Sequence, residues 1–275
     1  MNKLHLPQYN LQMTLLGGQS FAWDYEDDFY YGFTNKNIVK LKQENETLYW
    51  QTYPSTDDFD FIEKYFRLDV DYEKILKAIQ KDKHIKKAIV KYPDLRLLKQ
   101  DFEETLLSFI ISSNNNIKSI RKIIRLLNFK FGKSISINKK KIYLFPDTEM
   151  LANASMNDLL ACKLGFRAKY LKSTARLLLE TNLKEEIQSL DENKARNELL
   201  KIRGVGDKIT DCVLVFGLGF DNVTPLDVWA KRAFIKYYKL PPKMHYEEMR
   251  KWISNHFNGY AAWAGQFLFE YIRTM

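Results

Sequence analysis

A chain of 275 residues, 45% of them hydrophobic, is long enough for one large domain or two modest ones, each with its own core. A formal net charge of +9 suits a polyanionic partner, nucleic acid being the commonest, although a lysine-rich surface with solvated faces has the same arithmetic. Two separated cysteines, Cys162 and Cys212, and four scattered histidines (His5, His84, His245, His256) give no basis for a disulfide framework, a zinc site or a four-cysteine iron–sulfur cluster. No apolar run nears membrane-spanning length, and the polar stretch from Met1 to Asn10 has no apolar signal core, so a reducing intracellular setting is expected.

From the N-terminus, aromatic and β-branched residues alternate over 29–33, 37–41 and 47–53. Turn-forming pieces, Thr34-Asn35-Lys36 and Glu44-Asn45-Glu46, separate them, and the pattern predicts an antiparallel meander. A helix is expected to start after Asp57-Asp58, where Phe61, Ile62, Tyr65 and Phe66 fall at helical spacing. The texture changes near residue 97 and is almost wholly helical beyond it. One apolar stripe covers 105–111 and another runs through Ile117, Ile120, Ile124 and Leu127; the polar break Ser112-Ser113-Asn114-Asn115-Asn116 lies between them. Further helices are predicted over 157–162, 169–180, 191–201, 208–218, 228–236, 246–255 and 261–273. The fold class is therefore α+β: an N-terminal antiparallel-sheet domain over 1–96, then a larger helical domain over 97–275.

The stretch richest in chemistry is Ile202-Arg203-Gly204-Val205-Gly206-Asp207-Lys208-Ile209-Thr210-Asp211-Cys212. A helix enters Gly-Val-Gly and a second leaves it. The glycines permit a tight hairpin whose N–H groups can face a phosphate; taken alone, such a turn is equally an ordinary αα-hairpin. Ile209, Cys212, Val213 and Phe216 form the buried stripe of the second helix. Lys208 lies in its first turn, where the helix dipole disfavours an ammonium; it is either a solvated surface charge or an amine eased toward nucleophilic form. Further on, Pro225-Leu226-Asp227-Val228 starts another helix. Asp227 caps that helix, and on the functional reading it also faces Lys208 and stabilises positive charge on a sugar losing its base.

Gly204-Val205-Gly206, Lys208 and Pro225-x-Asp227-Val228 resemble the helix-hairpin-helix, Gly/Pro-rich loop and aspartate signature of DNA glycosylases. Other motifs narrow the resemblance to the 8-oxoguanine DNA glycosylase family. They are Gly18-Gln19-Ser20-Phe21-x-Trp23, Tyr65-Phe66-x-Leu68-Asp69, Leu97-Leu98-x-Gln100-Asp101, Ser108-Phe109-Ile110, Leu164-Gly165-Phe166-Arg167, Tyr260-Ala261-x-Trp263-Ala264 and Leu268-Phe269. Spread in order over nearly the whole chain, they are far more specific than the hairpin.

The resemblance implies a bifunctional glycosylase and lyase, monomeric, cytoplasmic and nucleoid-associated, that acts on double-stranded DNA containing 8-oxoguanine and uses no cofactor. Lys208 takes the place of the nucleophile that attacks the sugar C1′, expels the base and forms a Schiff base before β-elimination; Asp227 takes the helper's place. The damaged base is flipped from the duplex. The carbonyl of Gly18 accepts the N7 hydrogen that guanine lacks, and Cys212 and Phe269 sandwich the base. Asn114 fills the vacated space, Phe166 wedges the duplex and Arg167 reads the opposite base. The backbone of Gly204, Val205 and Gly206 holds a DNA phosphate, directly or through a bound cation. By pattern alone, Cys212 and Phe269 are core residues on apolar stripes, Phe166 a loop anchor, and Asn114 to Asn116 a helix cap.

Three positions depart from the family. Many members place an arginine where Ser119 stands, to read the cytosine opposite the lesion, so a relaxed opposite-base preference is expected. The usual glutamine near the end is replaced by Gly265, with Gln266 one residue later; either a helix shift or bulge brings Gln266 into the pocket, or backbone or water reads the edge of the base. Trp229 stands where the family has a histidine. Three rivals differ in what they require. An endonuclease III or adenine glycosylase carries a cysteine-ligated cluster, and an alkylation-repair glycosylase usually lacks the lysine. A non-catalytic DNA-binding module leaves Lys208 and Asp227 together unexplained; an RNA-binding protein would show an RNP-like strand motif, which is absent.

Overall fold

The computed structural model describes residues 1–34, 37–54, 59–137 and 140–273. The expected turn at Asn35-Lys36 and the expected helix start at Asp57-Asp58 lie outside the described residues.

The alternating N-terminal segments form an antiparallel sheet of β1 (Asn2–His5), β2 (Trp23–Glu26), β3 (Phe29–Thr34), β4 (Asn37–Glu44) and β5 (Thr47–Tyr53). Its order is β1-β5-β4-β3-β2, so the predicted meander gains β2 at one edge and β1 at the other. Period-two burial is plain in β5, where Leu48, Trp50 and Thr52 face inward. Leu15, Trp23, Leu41, Trp50, Tyr65 and Phe66 build a core on that face under helices Leu11–Leu16 and Phe59–Phe66. The indole N–H of Trp23 donates to the Tyr65 hydroxyl at 2.8 Å, so the buried polar atom of each ring has a partner.

The second core is helical and draws in residues on both sides of position 97. Ile75, Ile79, Ile85, Ala88 and Leu95 bury in the same cluster as Phe102, Leu106, Ile124 and Trp263. Helices Phe102–Ile111, Ile117–Phe131, Arg167–Glu180, Glu192–Lys201, Val228–Tyr238, Tyr246–Phe257 and Ala261–Arg273 lie where apolar spacing places them. Three differences stand out. A hairpin of Ser134–Ile137 and Lys140–Tyr143 interrupts the helical part. Helices Leu11–Leu16, Tyr72–Ile79, Lys83–Lys91, Thr148–Asn153 and Leu183–Gln188 appear where none was expected; three of them have only 6 residues, too few to show a period. The helix expected over 208–218 divides into α-helix Asp207–Val213 and a π-helical turn, Leu214–Leu218, capped by left-handed Gly219. The π turn frees the Phe216 carbonyl to accept the Gln100 N–H at 2.6 Å.

Two polar junctions tie the sheet to the helices. Gln19 is fully buried, and its amide is saturated: Nε2 donates to the carbonyls of Thr14 (2.9 Å) and Arg96 (2.8 Å), and Oε1 accepts the Leu98 N–H (2.8 Å). Leaving such groups unpaired costs about 1–3 kcal/mol each, so the residue after Gly18 is locked to the segment 95–100. Arg67 grips Asp221 with two hydrogen bonds (2.7 and 3.0 Å), and the indole of Trp263 donates to the same carboxylate (2.8 Å).

Asp82 caps helix Lys83–Lys91 by accepting from the N–H groups of His84 and Ile85, while Tyr238 and His256 reach its two oxygens at 3.0 Å. Burial works to raise its carboxyl, but the hydrogen bonds from His256, the two amides and Tyr238 win and hold it below its ordinary 3.8. A depressed folded pKa contributes stability above the unfolded value and loses it as pH falls through the folded one. Asp82→Ala should therefore lower unfolding free energy by about 1–2 kcal/mol at neutral pH. The gap between variant and parent should close in urea titrations taken progressively below pH 3.8; a constant gap would contradict the assignment.

Candidate functional site

Helix Glu192–Lys201 ends at Ile202, and the chain reverses through Gly204 and Gly206 into helix Asp207–Val213. Gly204 has φ +90°, and an added Cβ would sit 2.5 Å from the ring of Tyr170, so the turn demands glycine twice over. Val205 is buried and its N–H bonds to the Ile202 carbonyl (3.0 Å). Its side chain anchors the hairpin to the core, which leaves the exposed Gly204 and Gly206 as the outward-facing backbone. Gly206 caps the helix with no side chain, in an extended conformation that any residue adopts. No group of three or more His, Cys, Asp or Glu that could hold a metal ion occurs among the described residues.

Where the hairpin helix meets the C-terminal helix there is a cavity of about 70 Å³. Gly18, Phe109, Lys208, Cys212, Asp227, Gln266 and Phe269 all line it, so residues from both ends of the chain converge there. Lys208 Nζ donates to Ser112 Oγ at 3.0 Å and lies 4.9 Å from the centre of the Phe109 ring. Ser112 gives its own proton to the Phe109 carbonyl (2.7 Å), which leaves its lone pairs for the lysine. Asp227 caps helix Val228–Tyr238 by accepting the Ala230 N–H at 2.7 Å. Both side chains face one pocket, but among the described residues no ion pair joins them: the carboxylate is engaged at its helix and the amine at Ser112.

Cys212 follows Lys208 by one helical turn and is buried. Burial pushes its thiol up to about 12 against the pull of Lys208, so it presents a neutral, polarisable surface. Across the cavity, Gly18 has φ +88°, and a Cβ there would come within 3.0 Å of Ile117 and 3.4 Å of Phe269. Helix Ala261–Arg273 is α-helical throughout its length, with no bulge to place Gln266. Gln266 lines the cavity all the same, its Nε2 3.5 Å from the Gly17 carbonyl. Gly265 faces Thr224, whose Cγ2 would lie 2.4 Å from an added Cβ, so no side chain fits at that position.

Asn114 sits exposed in a left-handed turn (φ +47°) beside the pocket mouth. Arg167 donates to the carbonyls of Ser113 (2.7 Å), Asn114 (2.9 Å) and Leu164 (3.3 Å). Two of its five donors thus brace the Asn114 loop and a third its own turn, which leaves two for any base. Phe166 is 49% exposed, with the Arg167 guanidinium 4.6 Å from its ring centre, and suits a wedge better than a core anchor. Ser119 lies in the first turn of helix Ile117–Phe131, its N–H held by Asn116. Trp229 is exposed on the same rim as Gly206 and Asp227. Sequence reasoning assigned no site role to Ser112, Phe109 or Thr224. The first was read only as part of a polar break, although a hydroxyl ending a buried helix is a ready partner for an amine.

A family model described as the N-terminal domain of 8-oxoguanine DNA glycosylase matches residues 3–106, and one described as the HhH-GPD superfamily of base excision DNA repair proteins matches 107–258. The N-glycosylase/DNA lyase of Saccharomyces cerevisiae is 33% identical over 270 residues, covering 87% of this chain and 71% of the yeast protein. The Arabidopsis thaliana N-glycosylase/DNA lyase OGG1 is 24% identical over 97% of this chain and 78% of its own length. Among solved structures, the Clostridium acetobutylicum 8-oxoguanine glycosylase/lyase, bound to duplex DNA with cytosine opposite 8-oxoguanine, superposes with a TM-score of 0.89. It is 33% identical, with 97% of this chain and 92% of that one covered.

The two hairpin glycines should separate on substitution. Gly204→Ala adds a left-handed alanine, at roughly 1–2 kcal/mol, and a clash with Tyr170. Gly206→Ala meets nothing within 4 Å and should leave thermal stability nearly unchanged. Equal melting temperatures for the two variants would show that the hairpin is not built as described.

Proposed function

We propose that this chain, which belongs to the HhH-GPD superfamily of base excision DNA repair proteins and carries the N-terminal domain of 8-oxoguanine DNA glycosylases, excises 8-oxoguanine from duplex DNA and then nicks the strand. The observation that carries the reading is the convergence of Lys208, Asp227, Cys212, Phe269 and Gly18 on one cavity. Residues 1–96 supply the Gly18 wall and residues 97–275 supply the chemistry. The enzyme works as a cytoplasmic, nucleoid-associated monomer and needs no cofactor, since the nucleophile is its own amine.

The damaged nucleotide is extruded, Asn114 enters the gap and Phe166 holds the duplex open. Lys208, as the neutral amine, releases Ser112, and its lone pair forms a bond to C1′ as the bond from C1′ to the base breaks; the base leaves with the bonding pair and takes up the proton that the new ammonium nitrogen sheds. Asp227 stabilises the positive charge that develops on the sugar, and the resulting N,O-acetal opens to a Schiff base as the C1′–O4′ bond breaks and O4′ takes up a proton. Loss of a C2′ proton then expels the 3′ phosphate. The Gly18 carbonyl accepts N7–H of 8-oxoguanine; guanine presents a bare N7 there, a mismatch of about 1–3 kcal/mol. The cavity of about 70 Å³ has room for about two waters and not for a purine, so Phe269 must swing from Cys212 as the base enters.

Borohydride should trap the wild-type protein covalently on 8-oxoguanine duplex, and Lys208→Gln should give no adduct while still binding. An adduct that survives the substitution would reject Lys208 as nucleophile. Ser119 offers no charged fork to the estranged base, so excision rates should differ little between opposite bases. Ser119→Arg should raise the preference for cytosine by about 1–3 kcal/mol, or roughly 5- to 150-fold. A strong cytosine preference in the wild type, measured across the four duplexes, would refute the relaxed reading.

A further inference from the structure

Lys208 and Asp227 reach the pocket from different elements, and a partly buried hydrogen-bonded chain joins those elements behind it. Asp211 is fully buried on helix Asp207–Val213, three residues beyond Lys208. Its Oδ1 accepts from Arg196 at 3.0 Å, with Arg250 Nε 3.5 Å away, and its Oδ2 accepts from the Tyr246 hydroxyl at 2.7 Å. The same hydroxyl oxygen lies 3.2 Å from the N–H of Leu226, the residue before Asp227. An amide N–H can only donate, so the phenol gives its proton to Asp211 and its lone pair to Leu226. Burial and the neighbouring Asp211 carboxylate raise the Tyr246 hydroxyl far above its usual range and keep that proton in place. Burial also pushes Asp211 up, to about 7, against Arg196, Tyr246 and Arg250, so the carboxylate depends on the hydrogen bonds from Arg196 and Tyr246 and on the nearby charge of Arg250.

We propose that Tyr246 and Asp211 are positioning residues that set the placement of Asp227 relative to Lys208, and that this pair governs the excision step rather than DNA binding. Neither lines the base cavity, although Tyr246 also borders the rim pocket beside Lys208 and Asp227. Arg196 and Arg250, from the helices on either side, fix Asp211 so that the chain cannot shift as a unit; Arg196 further binds Asp207 (2.6 Å) and Glu247 (3.2 Å). The inference rests on the excision chemistry proposed above and deepens it.

Tyr246→Phe keeps the ring and removes only the link. Under single-turnover conditions on 8-oxoguanine duplex, it should slow excision roughly 10- to 100-fold, the scale of a small misplacement of a reacting group. Its Kd for uncleaved duplex should stay within about two-fold of wild type, which the same scale makes a clear contrast. Adding Tyr246→Phe to Asp227→Asn should then cost nothing further, since the residue it positions is already disabled. An equal loss on both backgrounds, or an unchanged rate in Tyr246→Phe alone, would overturn the proposal. A wild type that removes no 8-oxoguanine would instead sink the functional reading beneath it. Should the variant fail to fold, hydrogen exchange in the wild type decides: a slow Leu226 amide supports the link and a fast one rejects it.

Discussion

The fixed register of helix Asp207–Val213 is the constraint on which the rest of the site depends. Ile209, Cys212 and Val213 bury one face, and Asp211 is held from the neighbouring helices by Arg196, Tyr246 and Arg250. A helix pinned this way can neither slide nor rotate without stranding a buried charge, a penalty of about 3–5 kcal/mol. Lys208, in the first turn, is therefore aimed at the pocket by packing rather than by its own contacts. There it donates to the Ser112 hydroxyl, which an approaching substrate can replace at modest expense.

The sheet serves the site at a distance. Its strands do not line the cavity; they carry a loop whose one lining residue is Gly18. Gln19 makes that loop rigid through three buried hydrogen bonds to Thr14, Arg96 and Leu98, and Gln100 adds another to the Gln19 carbonyl (2.7 Å). The motifs around Gly18 and Leu97 are thus two halves of one junction. A recognition carbonyl is useful only if it cannot retreat, because discrimination by a single hydrogen bond disappears when the acceptor relaxes.

Helices with a long buried stripe, such as Ile117–Phe131 and Ala261–Arg273, were legible because 13–15 residues show the period several times over. Strand β1 was not, since Asn2-Lys3-Leu4-His5 offers one apolar residue and owes its form to pairing with β5. Lys208 and Asp227 were legible as a pair only through the motif spacing that resembles a known family; each alone reads as a surface charge or a cap. The Gln266 offset invited a bulge, whereas the helix is regular and the reason lies in Thr224 crowding position 265, a contact no local pattern reveals. Asp211 and Tyr246 stand 35 residues apart, and nothing in either neighbourhood announces their bond. Arg167 was read as facing DNA; its geometry shows a brace across the Asn114 loop, a role visible only once the loops are assembled.

The central claim is that position 208 meets the anomeric carbon of an extruded nucleotide inside this cavity. The most direct test is a crystal structure of the Lys208→Gln protein on duplex DNA containing 8-oxoguanine. The account expects the base between Cys212 and Phe269, with C1′ roughly 3–3.5 Å from the side chain at 208 and Asp227 beside the sugar. A base still stacked in the duplex, or a flipped sugar whose C1′ lies far from that side chain, would contradict it.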